Sequence, residues 1–291
     1  MKITKSMLED FNACNDGLGW FEENFPEGGE YQAVLDKLGA ENNYSYAEWL
    51  MDRIPSDESV LEVDEIKIEG SLFFAGKIIS KKGISVTGYL RAGDAIEAAL
   101  GIEAGRGIEA GRGIKAGDAI EAGDAIQAGD AIEAALGIEA GRGIQAGLGI
   151  EAGRSIQAGR SIEAGWAIQA GLGIKAGDAI EAALGIEAGL GIQAGLGIEA
   201  GRGIKAGDAI EAGDAIEAAL GIEAGLGIQA GLGIEAGWAI KAGLGIKAGR
   251  SIEAGRSIDA GDAIQAGWAI QAGLGIQAGD AIQAGRAIEE K

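Results

Sequence analysis

The sequence predicts a mainly β protein: a parallel β-solenoid of six-residue repeats behind a small α-helical head. Three observations carry this. From Ile96 to Ile288 an isoleucine stands at every sixth position, 33 times without a gap. Each sits in the unit x-[AGS]-I-x-A-G, with the alanine two places on and glycine next in nearly every copy. The first 55 or so residues obey no such rule and carry most of the core-type aromatics, Phe11, Phe21, Phe25, Tyr31, Tyr44 and Tyr46, with Trp20 and Trp49.

The period rules out the other regular structures. On a helix six steps of about 100° scatter successive isoleucines round the cylinder, and a glycine per unit costs roughly 1 kcal/mol relative to alanine. Collagen needs glycine at every third position. On an extended strand the isoleucine and the alanine two places later point to one side. Glycine then supplies a corner. Isoleucines stack on isoleucines along the axis about 4.8 Å apart, so every coil pairs its backbone with the coils above and below.

In chain order, residues 1–57 form the head. "SMLE" and "SYAE" are capping boxes with Ser6 and Ser45 as N-caps, which places helices at about 7–14, 18–24, 30–39 and 46–53. Asn15-Asp16-Gly17, Pro26 with Gly28-Gly29, and Pro55 interrupt them. A segment this short is marginal alone, so the head is expected to pack on the first coil. Cys14, beside an apolar helix face, is expected to be a buried small hydrophobe.

Residues 58–91 form degenerate first coils. The isoleucine phase runs back through Leu90, Ile84, Ile78, Leu72 and Ile66, and Ile68, Phe74 and Val86 take the slot that is alanine later. Residues 92–291 are the regular solenoid. Three sides would give 18 residues per coil and a triangular prism; two sides would give 12. The block at 178–201 recurs at 214–237, a shift both lengths allow, while "GRGIKAGDAIEAGDAI" recurs from 111 to 201, which suits 18 only. Leucine two places before isoleucine falls in 9 of the 16 hexads of one parity and 3 of the 17 of the other, which suits 12. The triangular coil is preferred because two isoleucines per layer make too thin a core without disulfides.

The variable positions face outward. The residue two before each isoleucine is only Asp, Arg, Leu or Trp, coupled to its neighbour: Asp and Trp precede alanine, Leu precedes glycine. The residue after isoleucine is Glu, Gln, Lys or once Asp. With 18 residues per coil, Glu163, Glu181, Glu199, Glu217, Glu235 and Glu253 form one column, a candidate strip for a basic protein partner. Like charges in register destabilise a sheet, so the column invites a counter-charge from nearby Arg or Lys, from cations or from a partner. Trp166, Leu172, Leu190 and Trp238 form a candidate apolar interface.

Composition narrows the function. With 24 basic and 45 acidic side chains the net charge is −21, which disfavours direct nucleic-acid or anionic-membrane binding. There is no histidine, one cysteine, no apolar run of membrane length and no secretory layout, so no metal cage, cofactor or membrane partner is expected and a cytoplasmic setting is. No nucleophile-and-base pair or phosphate loop points to catalysis, and the absence of threonine after Thr87 disfavours an ice-binding face. The charged C-terminus "GRAIEEK" ends on a regular hexad, from which a tail-to-tail homodimer or another closed oligomer is expected.

The period resembles the left-handed β-helices of hexapeptide acyltransferases, but those place the small residue before the aliphatic one and use a catalytic histidine. The head "NACNDGLGWFEENFPEGGEYQAVLDKL" followed by "AGxxIxAG" runs more closely resembles uncharacterised phage and prophage proteins. That resemblance implies a viral origin and a bacterial host cytoplasm, and brings no site residues. Two non-catalytic functions remain: a rigid scaffold or protein-binding module, or an acidic nucleic-acid mimic that decoys a host protein. DNA-imitating pentapeptide-repeat proteins share only the acidic rod, and the dispersed arginines from Arg106 to Arg286 weaken the mimic.

Overall fold

The computed structural model describes residues 1–290 and contains three parallel sheets of 13 strands each. Successive strands of three or four residues go to successive sheets, so each coil contributes one strand to each face. The first face begins with Val60–Val63, the second with Ile66–Ile68 and the third with Leu72–Phe74. Ile102 pairs with Ile120 and Ile120 with Ile138, a register of 18 that decides for the triangular coil against the two-sided one. The leucine parity is compatible with that register, because the 36-residue recurrence is six hexads, which preserves hexad parity and equals two coils of 18.

Each coil of the regular array short of the C-terminal end buries three isoleucines and three alanines. Ile120, Ile126 and Ile132 are fully buried, with Ala122, Ala128 and Ala134 beside them, and the residue between each pair faces out. β-Branched isoleucine suits the extended backbone, and the small alanine lets three walls close on so narrow an interior. The larger residues of the first coils do share the alanine slot, since Ile68 pairs with Val86 and Phe74 with Ala92. One strand earlier the phase slips: Leu61 pairs with Ile78, so the first coil has a register of 17.

Glycine serves a purpose different from the one its corner position suggests. Among the described glycines only Gly28 and Gly70 have positive φ, and neither belongs to the regular array. At Gly189 an added Cβ would instead press into the carbonyl oxygen of Gly171 in the coil below. The close approach accompanies coil-to-coil hydrogen bonds that continue round the corner. Gly189 N–H donates to Ala170 at 3.0 Å and Leu190 N–H to Leu172 at 2.7 Å.

The head consists of β1 (Lys2–Ile3), α1 (Lys5–Asp10), α2 (Asn15–Asn24), β2 (Gly29–Glu30), α3 (Tyr31–Ala40) and α4 (Tyr44–Met51). Strands β1 and β2 pair antiparallel, a contact too short for sequence periodicity to register. Helices α1 and α4 start earlier than the capping boxes place them, because Thr4 and Asn43 rather than Ser6 and Ser45 accept the first free N–H groups. Cys14 also departs from expectation. It is exposed, and its Sγ accepts from Gly17 N–H at the start of α2, the place a serine would take.

The head sits on the start of the third face, as its small core requires. Phe73 and Ala75 of the rod join the head cluster of Tyr31, Val34, Leu35 and Leu38. Gln32 covers the open edge of strand Leu72–Phe74: its amide donates to Phe73 O at 2.9 Å and accepts from Ala75 N–H at 3.0 Å. Such a cap protects a solenoid end whose backbone groups would otherwise be free to pair with another chain.

Candidate interaction surfaces

The 18-residue register sorts the outward residues into three columns of different character. On the third face Phe73, Arg91 and Glu109 lie in succession, followed by Gln127 and Gln145. Glu163, Glu181, Glu199, Glu217, Glu235 and Glu253 then follow in unbroken register. The predicted acidic column therefore exists as a physical line, on the face that carries the head at its other end. Among the described residues none of the six forms an ion pair with Arg or Lys. Gln145 Nε2 contacts Glu163 Oε2 at 3.4 Å at the head-side end of the line.

Two apolar strips run along the corners. Trp166 and Trp238 lie on the corner leading into the first face, in one hydrogen-bonded ladder with Leu148, Leu184 and Leu220. Leu172 and Leu190 lie on the corner leading into the second face. The four predicted apolar residues are thus brought to the two borders of the first face, not into one patch. Trp166 and Trp238 are 59% and 53% exposed. Between the borders a shallow groove of about 510 Å³ crosses five coils, floored by Gly185, Gly203 and Gly221. Trp268, exposed on the third corner with Arg286 stacked 4.8 Å from its ring, was not among the residues the sequence singled out.

The junction of head and rod holds a charged network that sequence reading missed. The Arg91 guanidinium lies 2.6 Å from Asp52 of the head and 3.0 Å from Glu109, and the Tyr44 hydroxyl donates to Glu109 at 3.2 Å. Tyr44 stacks on Tyr89 with ring centroids 3.9 Å apart. Burial pushes the Glu109 carboxyl above its ordinary range, against the pull of Arg91. Burial likewise raises the Tyr44 and Tyr31 hydroxyls, Tyr31 to about 12. The available signal was that Phe73 and Arg91 occupy outward slots filled by Glu, Gln, Lys or Asp from Ile96 onward.

The head encloses an apolar pocket of about 300 Å³, lined by Leu8, Phe21, Leu38, Tyr46 and Trp49 with Cys14 at its side. Among the described residues no group of three or more His, Cys, Asp or Glu is placed to hold a metal ion. None of the described helices is long and apolar enough to cross a membrane.

Residues 1–57 match the model of the YdhT N-terminal domain. This YdhT-type match stops just before the first solenoid strand at Val60. No curated protein and no solved structure matches the chain.

Proposed function

We propose that the chain is a non-catalytic rigid rod that displays a binding strip for another protein, with the YdhT-type head sealing one end. One observation carries this reading: six glutamates stand in register about 5 Å apart on a sheet, and among the described residues none of them forms an ion pair with Arg or Lys. A charge line that the fold does not neutralise costs stability and favours any basic surface of matching length. The uninterrupted hexads support a structural function too, because no loop inserted between Ile96 and Ile288 encloses a substrate.

The partner class proposed is a basic protein, in a phage-related bacterial cytoplasmic setting. The test is capture of host proteins by the full chain at rising salt. Capture that weakens with salt and is lost when Glu181, Glu199 and Glu217 become lysine supports the strip. Capture indifferent to those charges sinks it. The second reading, a nucleic-acid mimic, rests on the same column. It predicts that added DNA displaces the captured protein, whereas a plain scaffold partner stays bound.

A further inference from the structure

We propose that a second copy of this chain docks antiparallel on the first face, about a two-fold axis lying between the coils of Ile204 and Ile222. This pairing is independent of the acidic strip, which lies on the third face.

The first face is bordered on both sides by corners rich in large apolar residues. Leu148, Trp166, Leu184, Leu220 and Trp238 lie along one edge, interrupted by Arg202 between Leu184 and Leu220, and Leu172, Leu190, Leu226 and Leu244 along the other, interrupted by Asp208 between Leu190 and Leu226. A soluble rod seldom leaves two such parallel strips uncovered. Between them the outward column reads Glu151, Gln169, Glu187, Lys205, Glu223, Lys241, Asp259, Gln277 in register. Among the described residues neither Lys205 nor Lys241 pairs with a carboxylate of its own chain.

A two-fold axis along the strand direction keeps each column on itself and reverses the coil order. Lys205 then meets Glu223 of the second copy, Glu187 meets Lys241, Gln169 meets Asp259 and Glu151 meets Gln277, so no like charges are opposed. On the tryptophan edge Leu184 meets Trp238, Leu148 meets Leu274, Arg202 meets Leu220 and Trp166 meets Arg256, the last a cation–π pair, while on the other edge Leu190 meets Leu244 and Asp208 meets Leu226. Arg256 already lies 4.4 Å from the Trp238 ring, so aromatic and guanidinium groups there are held in place before docking. This is the self-complementarity an isologous interface needs.

The other faces lack it. Antiparallel pairing of the third face sets glutamate on glutamate. The second face is bounded toward the third by a largely charged corner that includes Arg142, Arg160, Asp178, Asp214 and Arg250. The eight coils from Ile150 to Ile276 give a strip about 38 Å long and about 16 Å wide, burying on the order of 1,200 Å² in total. That is the lower end of specific protein pairs, so a micromolar dimer is expected.

Light scattering of the full chain should give twice its 29.3 kDa mass at micromolar concentration. Lys205→Glu alone and Glu223→Lys alone each set like charges opposite one another and should weaken the dimer about tenfold or more. Mixing the two single variants should restore pairing, because each altered charge then meets its complement only in the other chain. In a Cys14→Ser background, Gln169→Cys and Asp259→Cys chains should cross-link when mixed and not when alone. A monomer, a dimer indifferent to both reversals as a tail-to-tail pair would be, or a mixture without the cross-link would overturn the proposal.

Discussion

Gly171 and Gly189 lie one above the other on the corner leading into the second face, and there the absence of a side chain is a matter of space. Ala99, Ala135, Ala183 and Ala219 take the same slot elsewhere, yet each is covered in the next coil by glycine: Gly117, Gly153, Gly201 and Gly237. The ladder accepts an isolated methyl with its hydrogen bond kept, as at Ala135 N–H to Ala116 at 3.2 Å. Gly189→Ala should therefore cost about 1–2 kcal/mol as a local overpacking, and Gly171→Ala with Gly189→Ala more than the sum of the two. Gly185→Ala should be close to neutral, since its Cβ would sit 3.4 Å from Gly203 O in a slot that elsewhere holds alanine. Thermal denaturation of the four variants checks the order.

At the scale of an element, the third-face ladder and the head junction respond to solution conditions in different ways. Replacing Glu199, in the middle of the column, with Gln removes two cross-strand repulsions and should raise the melting temperature. The gain should be about 0.5 kcal/mol at low salt and vanish at high salt. At the junction Arg91 is nearly buried between two carboxylates, and Arg91→Met should cost about 2 kcal/mol by leaving Glu109 without its cation. Glu109 binds its proton more readily folded than unfolded, so its contribution is full at low pH. It is lost as pH rises from the ordinary value of 4.5 through the raised folded value. Head stability should accordingly increase as pH falls from neutral toward that range, and a Glu109→Gln chain should lack this component. Limited proteolysis of the head across the pH series separates the two outcomes.

For the whole molecule the hexads are equivalent inside and unequal outside. Every core layer of the regular array is three isoleucines and three alanines, so removing one hexad there leaves an interior that still fits. It also rotates all later outward residues by one face. Deletion of residues 201–206 should leave strand content and melting temperature nearly unchanged while breaking the six-glutamate line between Glu199 and Glu217. The proposed first-face pairing should be lost with it. Deletion of residues 195–212, a full coil, should keep the alignment of all three faces and shorten the rod by about 5 Å. Circular dichroism and light scattering of the two deletions make the comparison.

Much of this was legible in the chain itself. Isoleucine and alanine two apart, repeated every six residues, require an extended strand with one buried side, and that requirement is local. It names the interior and the outward positions without a structure. It fails at Leu61, where the strand pairing survives a one-residue slip that the period excludes, and at the caps, where Thr4 and Asn43 compete with equally good serines nearby.

What only the tertiary structure decided is how many hexads close a coil, because each hexad is the same whether its neighbours make two walls or three. Closure is settled by filling the interior, and three isoleucines with three alanines fill it. From that follow the acidic line of Glu163 to Glu253 and the two borders of the first face, while the docking of the head adds the meeting of Arg91 with Asp52. All are relations between residues far apart in the chain that a period of six does not give, the first two fixed by a register of 18 and the last by the seat of the head on the third face.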